Sequence, residues 1–277
     1  MTITCLINGE PGERVPADDR GLQYGDGLFE TLAVRDGVCE FWDRHMQRLS
    51  EGCERLRIPP PSPELLQAEA AQLAGTAESA VLKIIVTRGR GGRGYQAPHR
   101  VEPMRLLRIF EAPAHPARHA EAGVRVRLCD QRLGWNAALA GLKHLNRLEQ
   151  VLARMEWDDP DIAEGLMTDQ AGNVIEGTFT NLFAIIDGRL ITPALNRCGV
   201  AGIMRGVIMD LAATEAGGCA VRDIPQAELL DADGLLLSNS VIGIWPVREL
   251  GGRKLRIPDL TRHLQQRLAH LRAADIA

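Results

Sequence analysis

"AGLKHLNRLEQVLAR", Ala140–Arg154, begins with small apolar residues and then places Lys143 at the mouth of an amphipathic helix. A solvated helix lysine is the ordinary reading of such a residue. Here the preceding "NAALAGL" carries no charge. An amine flanked by buried apolar groups loses hydration that favours its ammonium form, so its pKa falls. Such an amine can form a Schiff base with an aldehyde and carry a proton. Lys83, in the strand-like "AVLKIIVTR", is the competing candidate, although period-2 alternation can turn it to solvent.

The chain around this stretch has 277 residues, enough for one large or two ordinary domains. Its apolar and charged fractions, 45% and 25%, are those of ordinary globular proteins. A net charge of -4 gives no reason to expect nucleic acid or an anionic membrane surface as partner. The start, "MTITCLINGEPGE", has neither a basic n-region nor an apolar h-region. No apolar run approaches the ~20 residues that span a bilayer. The expectation is a cytoplasmic protein whose six cysteines are reduced thiols. No C-x-x-C pair is present, so no zinc site is expected.

The pattern of elements is mixed. "TCLINGE" reads as a strand ending in an Asn-Gly turn, and "LFETLAVRDGVCEF" as a hairpin across Asp36-Gly37. Asp43 is placed to cap a helix running to about Leu56, and Gly75 to end a second one. "AVLKIIVTR" and "MRLLRIFEA" are strands separated by the glycine-rich "GRGGRGYQ". "APAHPARHAEAG" breaks the pattern and reads as a linker. Beyond it the spacing predicts a strand at 124–129, a helix to about Trp157, a strand at "EGLMT", the hairpin "NLFAIIDGRLITP", and a helix over 202–216. Further strands are expected near 219–224, 234–238 and 243–248, a short helix begun by Pro225, and a last helix from about Pro258. The fold class is therefore α/β or α+β, in two domains. A small N-terminal domain covers 1–113, a linker 114–122, and a large domain 123–277 carries Lys143.

Other residues suit an anionic or aromatic ligand. Glu176, in "NVIEGTFTNLF", is either a surface charge or a carboxylate able to hold a pyridine nitrogen protonated. "CGVAGIMRGVIM" sets Gly199 and Gly202 ahead of a helix, where the N–H groups of Ile203 and Met204 can meet a phosphate. "LLLSNSVIG" puts Asn239 and Ser240 just after an apolar strand. Arg48, in "HMQRL", can add a charge-assisted bond, and "TRGRGGRGY" offers Arg88, Arg90 and Arg93 to carboxylates.

Taken in order, "QYGDGLFETLAVRDG", "HMQRL", "LKHLNRLEQVLAR", "IEGTFTNLF" and "GVAGIMR" resemble the fold-type IV pyridoxal phosphate (PLP) enzymes over nearly the whole chain. That family includes the D-amino acid aminotransferases, the branched-chain aminotransferases and the aminodeoxychorismate lyases. The resemblance implies a D-amino acid aminotransferase-like fold, pyridoxal 5'-phosphate as cofactor, and a homodimer. It makes Lys143 the Schiff-base lysine and Glu176 the partner of the pyridine nitrogen. Arg48, Ile203, Met204 and Ser240 then hold the phosphate. Arg147 stands near the phenolate oxygen, where branched-chain enzymes have a tyrosine. "TRGRGGRGY" and "RLGWNAALAGLKHLNRLEQVLAR" look most like the lyase branch. That branch implies 4-amino-4-deoxychorismate as substrate, Arg93 for a carboxylate, and Tyr24, Thr31 and Asn239 as pocket residues. A PLP aminotransferase of D-amino or branched-chain amino acids is the second reading, and a non-enzymatic binder of an anionic ligand the third.

Overall fold

The computed structural model describes residues 3–215 and 217–276. The chain forms two compact units: Met1–Pro113 with Lys143–Asn146 and Ala274–Ala277, and Ala114–Leu142 with Arg147–Ala273.

The first unit is a six-stranded antiparallel sheet in the order β2-β1-β6-β5-β3-β4. Its strands are β1 (Cys5–Ile7), β2 (Glu10–Pro11), β3 (Gly27–Arg35), β4 (Val38–Cys39), β5 (Ser79–Thr87) and β6 (Met104–Glu111). Its helices are α1 (Arg20–Tyr24), α2 (Trp42–Leu56) and α3 (Pro63–Ala74). Asn8-Gly9 and Asp36-Gly37 have positive φ at both positions, the geometry of a two-residue hairpin turn, as their sequence predicts. Along β3, Leu28, Glu30, Leu32 and Val34 are buried on the face that α2 covers. α2 is not capped by Asp43. The N-cap is Phe41 in the left-handed region (φ 55°), and its N–H donates to Asp275 at 2.6 Å, while Asp43 lies in the first turn.

Lys143–Asn146 is an extended segment laid on the edge of β3. The Phe29 N–H donates to the Lys143 carbonyl and the Leu145 N–H to the Gly27 carbonyl, each at 3.0 Å. Asn146 Nδ2 donates to the Gly25 carbonyl at 3.1 Å. Lys143 is thus on a strand-like edge and not on the helix that follows.

The second unit is built from α4 (Arg118–Glu121), β7 (Val124–Leu133), α5 (Leu148–Arg154), β8 (Ile162–Asp169), β9 (Val174–Gly177), β10 (Asn181–Ile186) and β11 (Arg189–Pro193). It continues with α6 (Ile203–Glu215), β12 (Cys219–Arg222), α7 (Gln226–Leu230), β13 (Gly234–Asn239), β14 (Gly243–Leu250), β15 (Arg253–Lys254) and α8 (Asp259–Ile276). The sheet runs β12-β11-β10-β13-β14-β7-β8-β9, and β9 also pairs with β10. That last pairing closes β10, β13, β14, β7, β8 and β9 into a ring without free edges. Leu166, Leu182, Leu235, Leu237, Trp245 and Val247 are among its packed core.

The stretch expected as a linker contains α4, and α5 ends at Arg154 rather than near Trp157. The expected helix end at Ala216 lies outside the described residues. No described helix is long and apolar enough to cross a membrane.

Candidate active site

In the first unit, Lys143 is half-buried, with Nζ 4.3 Å from the centre of the Phe29 ring. Lys83 Nζ lies 5.1 Å from the same ring. Arg48 belongs to an ion cluster whose other members, Glu30 and His45, carry no motif. Glu30, 1% exposed, accepts from Arg48 Nε at 2.8 Å and is paired with Arg48 Nη2. Its Oε2 lies 2.6 Å from His45 Nδ1. Burial alone would raise the Glu30 carboxyl, but the Arg48 guanidinium and His45 override it and hold the pKa at about 2. The His45 pKa is lowered, first by burial and then by the nearby charges of Arg48 and Lys143. Arg48, expected at a phosphate, is therefore oriented from behind by a buried carboxylate. The signal was present: Glu30 shares its parity with Leu28, Leu32 and Val34, which marks an inward carboxylate.

The glycine-rich segment is not the loose loop that its composition suggests. Arg88, 9% exposed, donates to both carboxylate oxygens of Asp26 and to the carbonyls of Leu56 and Arg57. Arg90 pairs with Asp18 at the surface. Arg20, 3% exposed, clamps the far side by donating to the carbonyls of Gly94, Tyr95 and Gln96. Arg93 is exposed in the bend so formed. Tyr24 stands edge-on to Tyr95, 5.6 Å between ring centres. Thr31 lies on β3, opposite Lys83 of β5.

In the second unit, Glu176 is 4% exposed at the end of β9. Its Oε2 accepts from the Val200 N–H at 2.7 Å, and its Oε1 from Gln150 Nε2 at 3.4 Å. Gly199 (φ +85°) makes this wrap possible, since a Cβ there would lie 2.7 Å from Leu195 and 2.8 Å from Ile175. Arg147, at the N-cap of α5, has its pKa lowered by burial, against the opposing attraction of Glu176 and Glu149.

Two residues beyond Val200, a Cβ at Gly202 would overlap Asn181 Oδ1, so only glycine lets the backbone pass this close to β10 on its way into α6. α6 begins at Ile203, so the N–H groups of Ile203 and Met204 belong to a first turn that has no intrahelical acceptors. The side chains of both residues are buried and anchor that end. Asn239 Oδ1 accepts from the N–H groups of Val241 and Ile242, and its Nδ2 donates to the Phe179 carbonyl. The Ser240 carbonyl accepts from Arg272 of α8 at 3.0 Å.

A second buried acid, Glu164, carries no motif. It accepts from the Thr178 N–H and hydroxyl, the Phe179 N–H, the Thr180 hydroxyl and the Gly165 N–H. Burial raises its pKa despite these donors. It staples the turn that directly follows Glu176.

The structure thus gathers Lys143, Arg48 and the Glu30 cluster in one unit. It gathers Glu176, Arg147 and the start of α6 in the other. A buried carboxylate, an arginine and a helix N-terminus form a donor set for an anionic aromatic ligand.

The pattern of the amino-transferase class IV family matches residues 27–250, and the chain belongs to that family. The aminodeoxychorismate lyase of Vibrio harveyi is 39% identical to it, over 95% of this chain and 98% of that protein. The crystal structure of 4-amino-4-deoxychorismate lyase from Pseudomonas aeruginosa superposes with a TM-score of 0.92 at 48% identity, covering 95% of this chain and 97% of that one. A putative branched-chain-amino-acid aminotransferase of Methanocaldococcus jannaschii is 29% identical, over 98% of this chain and 96% of that protein.

Proposed function

We propose that the chain is a pyridoxal phosphate-dependent lyase that converts 4-amino-4-deoxychorismate to 4-aminobenzoate and pyruvate. The observation that carries this reading is the near full-length similarity to two lyases, at higher identity than to the aminotransferase. The cofactor fits the residues present. The Gly199–Gly202 run brings the Val200 N–H onto the buried Glu176 carboxylate and leads directly into the N-terminus of α6, a donor set that suits a pyridine nitrogen and a phosphate. Arg48, Ile203, Met204 and Ser240 would hold its phosphate, Glu176 its pyridine nitrogen and Arg147 its ring oxygen. Lys143 would take its aldehyde. When bound, the group supplies an electron sink for charge left on the carbon that carries the substrate amine.

The residues of the chain supply the rest. Glu176 holds a proton at the ring nitrogen. The Lys143 amine removes the proton from the carbon bearing nitrogen, and as ammonium it delivers a proton to the departing enolpyruvate. Breaking the ether bond leaves an aromatic ring, which supplies the driving force. Arg93 binds a substrate carboxylate, and Tyr24, Thr31 and Asn239 shape the pocket. No keto acid acceptor takes part.

Mixing the cofactor-loaded chain with aminodeoxychorismate, without keto acid, is expected to give rising 4-aminobenzoate fluorescence and an equal amount of pyruvate. A yellow, borohydride-reducible protein that gives neither product would move the reading to the aminotransferase.

The homodimer that the family resemblance implies has a candidate surface on α5. Leu148, Val151, Leu152 and Met155 are 75%, 51%, 52% and 73% exposed and form one apolar stripe at helical spacing. Leu152→Glu is expected to turn a dimer mass into a monomer mass in light scattering. A wild-type chain that is already monomeric would remove the proposal.

A further inference from the structure

We propose that Gln150 is a positioning residue for Glu176, a neutral buried donor that fixes the carboxylate without compensating its charge. The proposal rests on the assignment of Glu176 to the pyridine nitrogen.

α5 has two faces. Leu148, Val151, Leu152 and Met155 point outward, while Gln150 and Ala153 are turned in, 8% and 0% exposed. An inward position beside Ala153 would ordinarily be apolar. A carboxamide there loses its hydration, a cost that only hydrogen bonds return. Yet Gln150 recovers little. Its Nε2 donates to Glu176 Oε1 at 3.4 Å, and its own Oε1 is buried without a hydrogen-bond partner. Packing therefore favours an aliphatic residue at this position, and the bond to Glu176 is what the amide adds.

The chemistry of the donors is informative. Two neutral donors reach Glu176, Gln150 on Oε1 and the Val200 N–H on Oε2. A lysine at 150 would neutralise the carboxylate and weaken its hold on a proton at a ligand nitrogen. A leucine would leave Oε1 without this donor, and a second carboxylate would have to share a proton with the first. An amide donates in the same way at every working pH. Arg147 and Cys198 are ionisable groups that feel the Glu176 charge, with Glu149 acting on both. Gln150, like the Val200 N–H, is a donor that does not titrate.

The test uses the full-length chain loaded with pyridoxal phosphate. The variants are Gln150→Leu and Gln150→Glu, with Glu176→Gln as reference. The absorption band of the bound cofactor is titrated with pH, kcat and KM are measured, and melting is followed without cofactor. Gln150→Leu is expected to lower kcat about tenfold with KM within about twofold, the pattern of lost transition-state alignment. It is also expected to move the spectral midpoint in the direction that Glu176→Gln moves it. Gln150→Glu is expected to match wild type in acid, where its carboxyl is protonated and donates as the amide does. It should fall to the leucine behaviour as that proton leaves, adding a titration step that the wild type lacks.

A purely structural glutamine would lower melting and loading in the variants and leave both spectral titrations at the wild-type midpoint, which overturns the proposal. Should Gln150→Leu fail to fold, the acid-to-neutral transition of Gln150→Glu decides alone. Should Glu176→Gln itself leave the band unmoved, the assignment of Glu176 falls and the role of Gln150 falls with it. A shift with Glu176→Gln and none with either Gln150 variant rejects Gln150 only.

Discussion

Lys143→Ala is expected to lower turnover by at least about a thousandfold, ~4 kcal/mol of lost transition-state stabilisation. The fold should survive. Lys143 is held on the edge of β3 through its carbonyl, which accepts the Phe29 N–H at 3.0 Å, and alanine keeps that bond. Melting should therefore shift by no more than an ordinary partly exposed substitution allows, within ~1 kcal/mol. Lys83→Ala is the matched control, because both amines approach the Phe29 ring. Loss of turnover on removing Lys143 with retention on removing Lys83 would separate bond chemistry from local charge. A Lys143→Ala protein with full activity would sink the functional assignment.

Glu30→Gln is expected to have the largest effect on stability. It leaves the part-buried Arg48 guanidinium without its carboxylate, a change of about 3–5 kcal/mol for a broken buried pair. The pH dependence has a definite sign. The folded Glu30 carboxyl titrates at about 2, below its ordinary 4.5, so its contribution is fully present above that ordinary value. It is lost as the pH falls from there through about 2, and amounts to ~3 kcal/mol. His45, its pKa also lowered, acts in the same direction and begins below its ordinary 6.5, because only the unfolded chain gains the proton readily. Denaturant unfolding followed from neutral to acid should show the wild-type curve falling towards that of Glu30→Gln. Parallel curves would show that the cluster does not carry this charge energy.

Much of the architecture was legible in local chemistry. The Asn8-Gly9 and Asp36-Gly37 turns, Gly75 at the end of α3, Pro225 before α7 and the Asp187-Gly188 hairpin each follow from backbone preferences of single residues. What could not be read was long-range. Nothing near Lys143 states that its segment pairs with Gly27–Phe29, so the local pattern reads as the mouth of a helix. Nothing near Phe41 announces Asp275, whose carboxylate accepts the Phe41 N–H, and α2 starts without the side-chain cap expected from Asp43.

The arginines show the same limit. Composition presents Arg88, Arg90 and Arg93 as one basic loop, but their roles depend on Asp26, Asp18 and open solvent respectively. The buried acids were legible in part. Glu30 and Glu164 sit in apolar strands at inward positions, which the alternation of their neighbours exposes, whereas four of the five donors around Glu164 come from the 178–180 turn, which carries no periodic pattern.

The docking of Lys143–Asn146 onto β3 also sets an order of events during synthesis. The N-terminal sheet leaves the ribosome with the Gly27–Phe29 edge unpaired, and its partner follows roughly 115 residues later. An open strand edge of that kind invites pairing with other nascent chains until the segment arrives. The same arrival seats the Lys143 amine beside the Phe29 ring. A chain still completing its first sheet thus has Lys143 unseated, and that amine takes its position before Glu176 has been made.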